Sequence, residues 1–458
     1  MNVIWIVADT VRRDAVGAYG NKRMHTPALD ALAAKSVRFD RHYVAAFPTM
    51  PARADFMTGR WTMSFMGWEP LPKGEVTLAE ILSGKGINTA AIVDTPFFLR
   101  AEMNYDRGFV TCEEIPGQHY LAKGSDPRFR RGLNIQSTVR VEADCFARQT
   151  ILKAMQWLEL NYKEDFFLYI DTWDPHEPWN APSYYTELYW PGYDGELIGP
   201  VYGYWQDRPG LTEEKVKKAQ ATYLGKMTMV DTWIGNLLRQ VENMGLMENT
   251  AIIFATDHGY YFGEHGGLYG KMVFSKDPAP GKEMIGVWAR SPYYEEVIAL
   301  PLLIYVPNIP TATYNGLTSA IDIMPTVLDI MGQEIPSRVE GRSLLPMMKD
   351  QSLAGREHVF SSSAFVNPGD TDLSVDHVRR WAEKASMATV TTDEWSLLYD
   401  VEPGGSELYN LSSDPKQEKN VISQHTDVAR ELHQLFVKFM RDTKLAKRLM
   451  EPRLELRL

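Results

Sequence analysis

Short β-branched runs alternating with longer amphipathic segments constrain this chain more than any other feature. Residues 3–7, 88–93, 166–170, 251–255 and 302–306 read as buried strands. Between them the spacing predicts helices over residues 27–35, 78–83, 145–160, 213–244 and 321–331. That order belongs to the α/β class with a doubly wound sheet, in which ligands gather beyond the carboxyl ends of the strands. Asp9, Asp94, Asp171 with His176, and Asp257 with His258 follow four of these strands, so polar chemistry converges on one surface.

After about Pro346 the pattern changes. Shorter strand candidates at 388–392 and 395–399 precede a helix from Asp427 to about Leu449, which divides the chain into a catalytic α/β domain over 1–346 and a C-terminal α+β subdomain over 347–458 packed on it. The stretch from Lys276 to Tyr294, rich in Pro, Gly and charge, is expected to form an inserted loop beside the site. A length of 458 residues with 44% hydrophobic content suits two such units. The formal net charge of -11 disfavours nucleic acid and anionic membrane as partners, so an anionic small-molecule ester must be drawn by a local positive site. The opening Met1-Asn2-Val3-Ile4-Trp5-Ile6-Val7-Ala8-Asp9 has no basic leader and runs straight into a strand pattern, from which a cytoplasmic location is expected. Cys112 and Cys145 are too few for a disulfide framework and read as ordinary thiols.

The segment Phe47-Pro48-Thr49-Met50-Pro51-Ala52-Arg53, followed by Met57-Thr58-Gly59-Arg60, reads as a short helix opened by Pro51 and closed by Gly59. Thr49 stands at its start, where free amides and the helix dipole favour an anion and would stabilise a deprotonating hydroxyl. Local sequence alone favours the plainer role of N-cap for Thr49. Asp9, Asp257 and His258 place two hard carboxylates and an imidazole at strand ends, a set suited to a divalent cation with an open position.

These residues lie in segments that resemble the sulfatase branch of the alkaline phosphatase superfamily. Thr49 to Arg53 with Thr58-Gly59-Arg60 is similar to the signature C/S-x-P-S/A-R followed by T-G-R, whose first residue becomes formylglycine. Asp9-Thr10-Val11-Arg12-Arg13-Asp14 and Tyr19-Gly20-Asn21 resemble the amino-terminal block of that family. Asp257-His258-Gly259, Gly263-Glu264-His265-Gly266 and Lys271 resemble its D-H-G…G-x-H-G…G-K block. Asp322-Ile323-Met324-Pro325-Thr326, Gly341-Arg342-Ser343-Leu344-Leu345-Pro346 and Glu407-Leu408-Tyr409-Asn410-Leu411 extend the likeness over nearly the whole chain.

The resemblance implies an alkaline phosphatase-like doubly wound sheet with a smaller C-terminal α+β subdomain. It implies one divalent ion, of manganese, zinc or calcium, held by Asp9, Thr49, Asp257 and His258; a second Asp/His/His set is not legible. Arg53 would orient the nucleophile and help to stabilise the transferred group, and Lys271 would contact the scissile group. His176, within Asp174-Pro175-His176-Glu177-Pro178, would contact the substrate or protonate the leaving oxygen. His265 reads as a turn residue, and Tyr105-Asp106-Arg107-Gly108-Phe109 resembles a packing motif without chemistry.

Two departures from the family pattern shape the functional expectation. Oxidation of threonine would give a ketone rather than an aldehyde, so no formylglycine is expected at Thr49. Where sulfatases tend to read G-K-W-H, this chain has Val93-Asp94-Thr95-Pro96, which removes two cationic contacts. Asp94 and Thr95 become candidate substrate-pocket residues, with Asp94 open to a cationic group or a further metal. Threonine nucleophiles occur in phosphate-ester branches of the superfamily, so the sequence predicts a metal-dependent hydrolase of phosphate diesters or phosphonate monoesters. Hydrolysis of a sulfate ester, phosphoryl transfer and a catalytically silent binding protein are the alternatives. The Trp and Tyr residues between Trp173 and Trp205 fit an aromatic pocket or a homo-oligomer interface.

Overall fold

The computed structural model describes residues 1–95, 98–99, 103–115, 141–274, 288–290, 292–365 and 387–458; Pro96 and most of the loop expected at 276–294 lie outside them. Among these residues the main sheet runs in the order Ala312–Tyr314, Val37–Tyr43, Ala299–Tyr305, Thr250–Ala255, Asn2–Ala8, Phe166–Thr172, Asn88–Val93 and Thr111–Glu114, with Thr318–Ser319 also paired to Val37–Tyr43. Ala299–Tyr305 is antiparallel to both of its neighbours, and the other pairs are parallel.

Asn2–Ala8 sits at the centre, with Val3 opposite Phe167 on one side and Ala251 on the other. All seven of its residues are buried because both faces of the sheet are covered. The period of two then sorts them: Ile4, Ile6 and Ala8 enter one core, while Val3, Trp5 and Val7 enter the other. The first core also contains apolar faces of the helices Pro27–Ala33, Phe146–Asn161 and Glu213–Asn243. The second is filled from Thr49–Thr58, Leu78–Ser83 and Ile323–Ile330. Each large apolar side chain so buried contributes roughly 1.5–3 kcal/mol, more than an exposed ion pair, so the cores fix the strand ends that carry the site.

A second sheet runs Glu407–Asn410, Trp395–Tyr399, Ala388–Thr392, His358–Ser363 and Ala46–Phe47. Its last pairing is parallel, with Ser362 opposite Ala46 and Ser363 opposite Phe47. The sheet packs on the helix Thr426–Asp442 through Phe436, Val437 and Met440. Ala46–Phe47 comes from the N-terminal part of the chain, two residues before Thr49, so the expected division at residue 346 is bridged by a strand that leads into the site.

The final helix stops earlier than its amphipathic pattern suggests. Thr443 caps it, Lys444 turns at φ 55°, and Lys447–Met450 forms a separate short turn of helix. Within the aromatic stretch from Trp173 to Trp205, Trp179, Tyr185 and Tyr189 serve the first core rather than a pocket or an interface. No helix among the described residues is long and apolar enough to cross a membrane.

Candidate active site and metal centre

Thr250–Ala255, Asn2–Ala8, Phe166–Thr172 and Asn88–Val93 are sheet neighbours, so Asp257, Asp9, Asp171 and Asp94 leave the sheet side by side. Asp9, Asp257 and His258 each place one ligand atom within 4.8 Å of the others, and all three are buried. The Asp257 Oδ1 atom accepts the amides of Thr10 at 3.0 Å and of His258 at 2.8 Å, which fixes the carboxylate. The Nδ1 atom of His258 lies 3.0 Å from the carbonyl oxygen of Gly259. Only a donor fits there, so Nε2 of the neutral ring is left as the ligand. Glycine is required at 259, because a Cβ would lie 1.9 Å from the carbonyl oxygen of Glu296. That approach lets the Gly259 amide donate to Val297 at 2.8 Å.

The helix Thr49–Thr58 begins at Thr49 itself, two residues before the start expected at Pro51, and ends as expected on Gly59 at φ 63°. Thr49 makes no capping bond; its Oγ1 is buried with no hydrogen-bond partner among the described residues. Asp9 Oδ1 and the hydroxyl of Thr10 are buried in the same condition, and Asp9 Oδ2 has only the ion-pair contact with Arg53 at 3.2 Å. Unpaired buried oxygens of this kind are rare and costly unless something binds them. A hydroxyl, two carboxylates and a neutral imidazole fit a hard divalent cation.

Arg53 is fully buried among the carboxylates. Its Nε and Nη2 donate to the two oxygens of Asp171, each at 2.7 Å, and Nη1 donates to Asp257 Oδ2 at 2.7 Å and to the Thr49 carbonyl at 3.0 Å. Asp9 lies 3.2 Å from Nη2. These bonds tie Arg53 to the Thr49 backbone, Asp257 and Asp171 and leave its donors committed within the protein. Thr95 belongs to the same layer, donating to Asp171 Oδ1 at 2.6 Å.

On the other side, Lys271 Nζ is 2.8 Å from His176 Nε2 and 3.5 Å from His258 Nε2. His176 Nδ1 is 2.8 Å from the carbonyl of Glu177, so Nδ1 donates and Nε2 accepts from the ammonium. Burial, and then the charge of Lys271, hold His176 well below its usual pKa. Burial likewise keeps His258 neutral, down at about 3 despite Asp257. Burial opposes the Asp257 carboxylate, but the charge of Arg53 and the Thr10 amide are among the neighbours that outweigh it and hold the group below the usual range. Burial, and then the charge of Asp257, push Asp9 well above that range.

Asp94 does not face this cluster. Its oxygens accept from Thr150 Oγ1 at 2.5 Å, Thr172 Oγ1 at 3.1 Å and the Trp173 amide at 2.5 Å, so neither a cationic substrate group nor a further metal finds it free. It holds instead the turn that carries His176. His265 is the expected turn residue, at φ 49°, stacked on Tyr294 and paired with Glu296 at 2.8 Å. A cleft of about 770 Å³ lined by Arg12, Asp14, Glu264, Glu295 and Lys416 contains none of the site residues.

Two contributors were not legible in the sequence. Lys226, from the helix Glu213–Asn243, pairs with Asp174 at 2.5 Å and donates to the carbonyls of His176 and Pro178, pinning the His176 loop from behind. Asp55 accepts the Ala46 amide at 2.6 Å and the Thr62 hydroxyl at 2.6 Å, which fixes the corner before Thr49. A Lys among the apolar positions of a long helix and an Asp six residues beyond Thr49 were the available signals.

A doubly wound sheet that gathers a hydroxyl, two carboxylates, an imidazole and a Lys–His pair defines an ester-hydrolysing enzyme of the alkaline phosphatase superfamily. Residues 1–333 match the Sulfatase family model, and residues 285–442 match that of the N-sulphoglucosamine sulphohydrolase C-terminal region. The chain belongs to the sulfatase family. An arylsulfatase from Clostridium perfringens is 23% identical over 478 residues, spanning 92% of this chain and 90% of its own. The multifunctional alkaline phosphatase superfamily protein PehA of Trinickia caryophylli is 25% identical over 500 residues, spanning 90% and 91%. The crystal structure of a phosphonate monoester hydrolase from Agrobacterium radiobacter shares the fold with a TM-score of 0.74 at 21% identity, covering 96% of each chain.

Proposed function

We propose that this enzyme hydrolyses singly charged phosphorus esters, phosphate diesters or phosphonate monoesters, with Thr49 as the nucleophile. The observation that carries the reading is the Thr49 hydroxyl, buried and unpartnered at a helix start in the position where sulfatases carry the formylglycine precursor. Charge supports it. With Asp9, Asp171 and Asp257 all ionised against Arg53 and Lys271, a bound divalent ion would leave the site one positive charge before Thr49 ionises, which matches a monoanion. The replacement of family cationic contacts by Asp94 and its turn inward act in the same direction.

Asp9, Asp257, His258 and Thr49 would hold the ion, which when bound supplies Lewis-acid stabilisation and favours the ionised hydroxyl. Arg53 holds the Thr49 backbone and Asp257 in place for in-line attack on phosphorus. Lys271 neutralises charge on the transferred group. The proton for the leaving oxygen comes from the Lys271–His176 couple: an arriving anion raises the affinity of His176 for the proton that Lys271 already presents at 2.8 Å. Water then opens the threonine ester, and its proton passes through His176 back to Lys271.

A sulfated threonine has no hemiacetal route to expel sulfate, which places sulfate-ester hydrolysis second despite the sulfatase names of many relatives. Matched nitrophenyl phosphate diesters, phenylphosphonate and sulfate, with manganese, zinc or calcium added, test the choice. Turnover of a phosphorus ester above sulfate is expected, and the reverse order overturns the reading.

A further inference from the structure

Trp173 follows the strand Phe166–Thr172, whose last carbonyl accepts the Asp9 amide at 2.9 Å, so this residue leaves the sheet beside the carboxylate cluster. Asp94 fixes it there by accepting the Trp173 amide. The indole stacks on His176 with centroids 3.8 Å apart, and Lys271 Nζ lies 5.9 Å from its ring. The residue is 7% exposed, and its Nε1–H is buried with no acceptor among the described residues. Trp5 also lacks an acceptor, but it sits in the core against Phe56 and Tyr169. Trp173 is packed on the very pair that would meet the scissile bond.

We propose that Trp173 is a specificity-determining residue that touches substrate, its indole N–H donating to an oxygen of the bound ester beside those served by Lys271 and His176. A neutral donor at this point orients an oxygen without adding a positive charge, so it favours a monoanion over a dianion. The inference rests on the substrate reading above for its charge preference, and on the orphaned N–H for the contact itself.

Trp173→Phe keeps a ring to stack and removes the N–H together with part of the indole's volume, whereas Trp173→His is smaller still but restores a ring donor. Both are compared with wild type, as metal-loaded protein, by vanadate and sulfate binding, by kcat/KM on the matched esters and by Tm. The expected result is a loss of about ten-fold or more in anion affinity and kcat/KM for Trp173→Phe, with partial recovery in Trp173→His. Tm should fall modestly in both variants, because each leaves part of the indole's space empty. Wild-type affinity in Trp173→Phe, or an equal loss in both variants, would overturn the contact. A wild type that prefers sulfate esters would defeat the substrate reading alone, since the ten-fold loss is then scored on sulfate.

Discussion

Arg53 and Asp171 are joined by two parallel hydrogen bonds of 2.7 Å with neither side chain exposed. Such a pair gains little over apolar packing but is costly to break, because the survivor remains charged and buried. Its geometric effect is larger than its energetic one: with two donors locked on Asp171, the third reaches Thr49 and Asp257 together.

Asp171→Ala is therefore expected to destabilise the protein by about 3–5 kcal/mol and to lower turnover through misplacement of Thr49. Urea unfolding followed by circular dichroism measures the first effect. A loss below about 1 kcal/mol would show that the pair is not the anchor described.

Asp9→Ala and Asp257→Ala should lose bound divalent ion and activity together, while the fold survives on its two cores. Emission spectroscopy on purified variants measures the metal. Full occupancy in both would remove them as ligands.

Lys271→Ala and His176→Ala should keep the ion and lower turnover, His176→Ala hurting alkyl leaving groups more than nitrophenyl ones because a good leaving group needs little protonation. The double variant should lose much less than the product of the single losses, since one shared proton is removed either way. Strictly multiplicative losses would separate the two roles.

Asp94 supplies a pH signature. Burial, and then Asp174, raise it to about 7, so between the unfolded value of 3.8 and about 7 the native carboxyl keeps a proton that the unfolded chain has released. Its contribution is thus fully present below 3.8 and lost as pH rises through 7. Asp94→Asn should gain stability relative to wild type across that window, on the order of 1–3 kcal/mol, read from paired unfolding curves at pH 5 and about 8. A pH-independent difference would mean that Asp94 is ionised throughout.

Much of this was legible in the sequence for a physical reason. Strands such as Asn2–Ala8, buried on both faces, are nearly continuous apolar runs, and the residues just beyond them, Asp9, Asp257 and His258, were placed at the site by topology alone. Val37–Tyr43 was not read, because Arg38, Asp40 and Arg41 leave it no continuous apolar run. The aim of a side chain was also hidden: Asp94 follows its strand as Asp9 does, yet three local donors turn it inward. Lys226 escaped notice because its partner Asp174 is distant in sequence, and a lysine in a long helix ordinarily reads as solvated.

The nucleophilic role of Thr49 is tested most directly by acid-quenching the metal-loaded enzyme during turnover of a phosphonate monoester and sequencing the peptide that contains residue 49 by mass spectrometry. The account predicts a phosphonyl group on Thr49 in the wild type, and in Thr49→Ala neither adduct nor turnover, with the fold retained because the hydroxyl makes no hydrogen bond among the described residues. An unmodified Thr49 together with undiminished turnover by Thr49→Ala would contradict it.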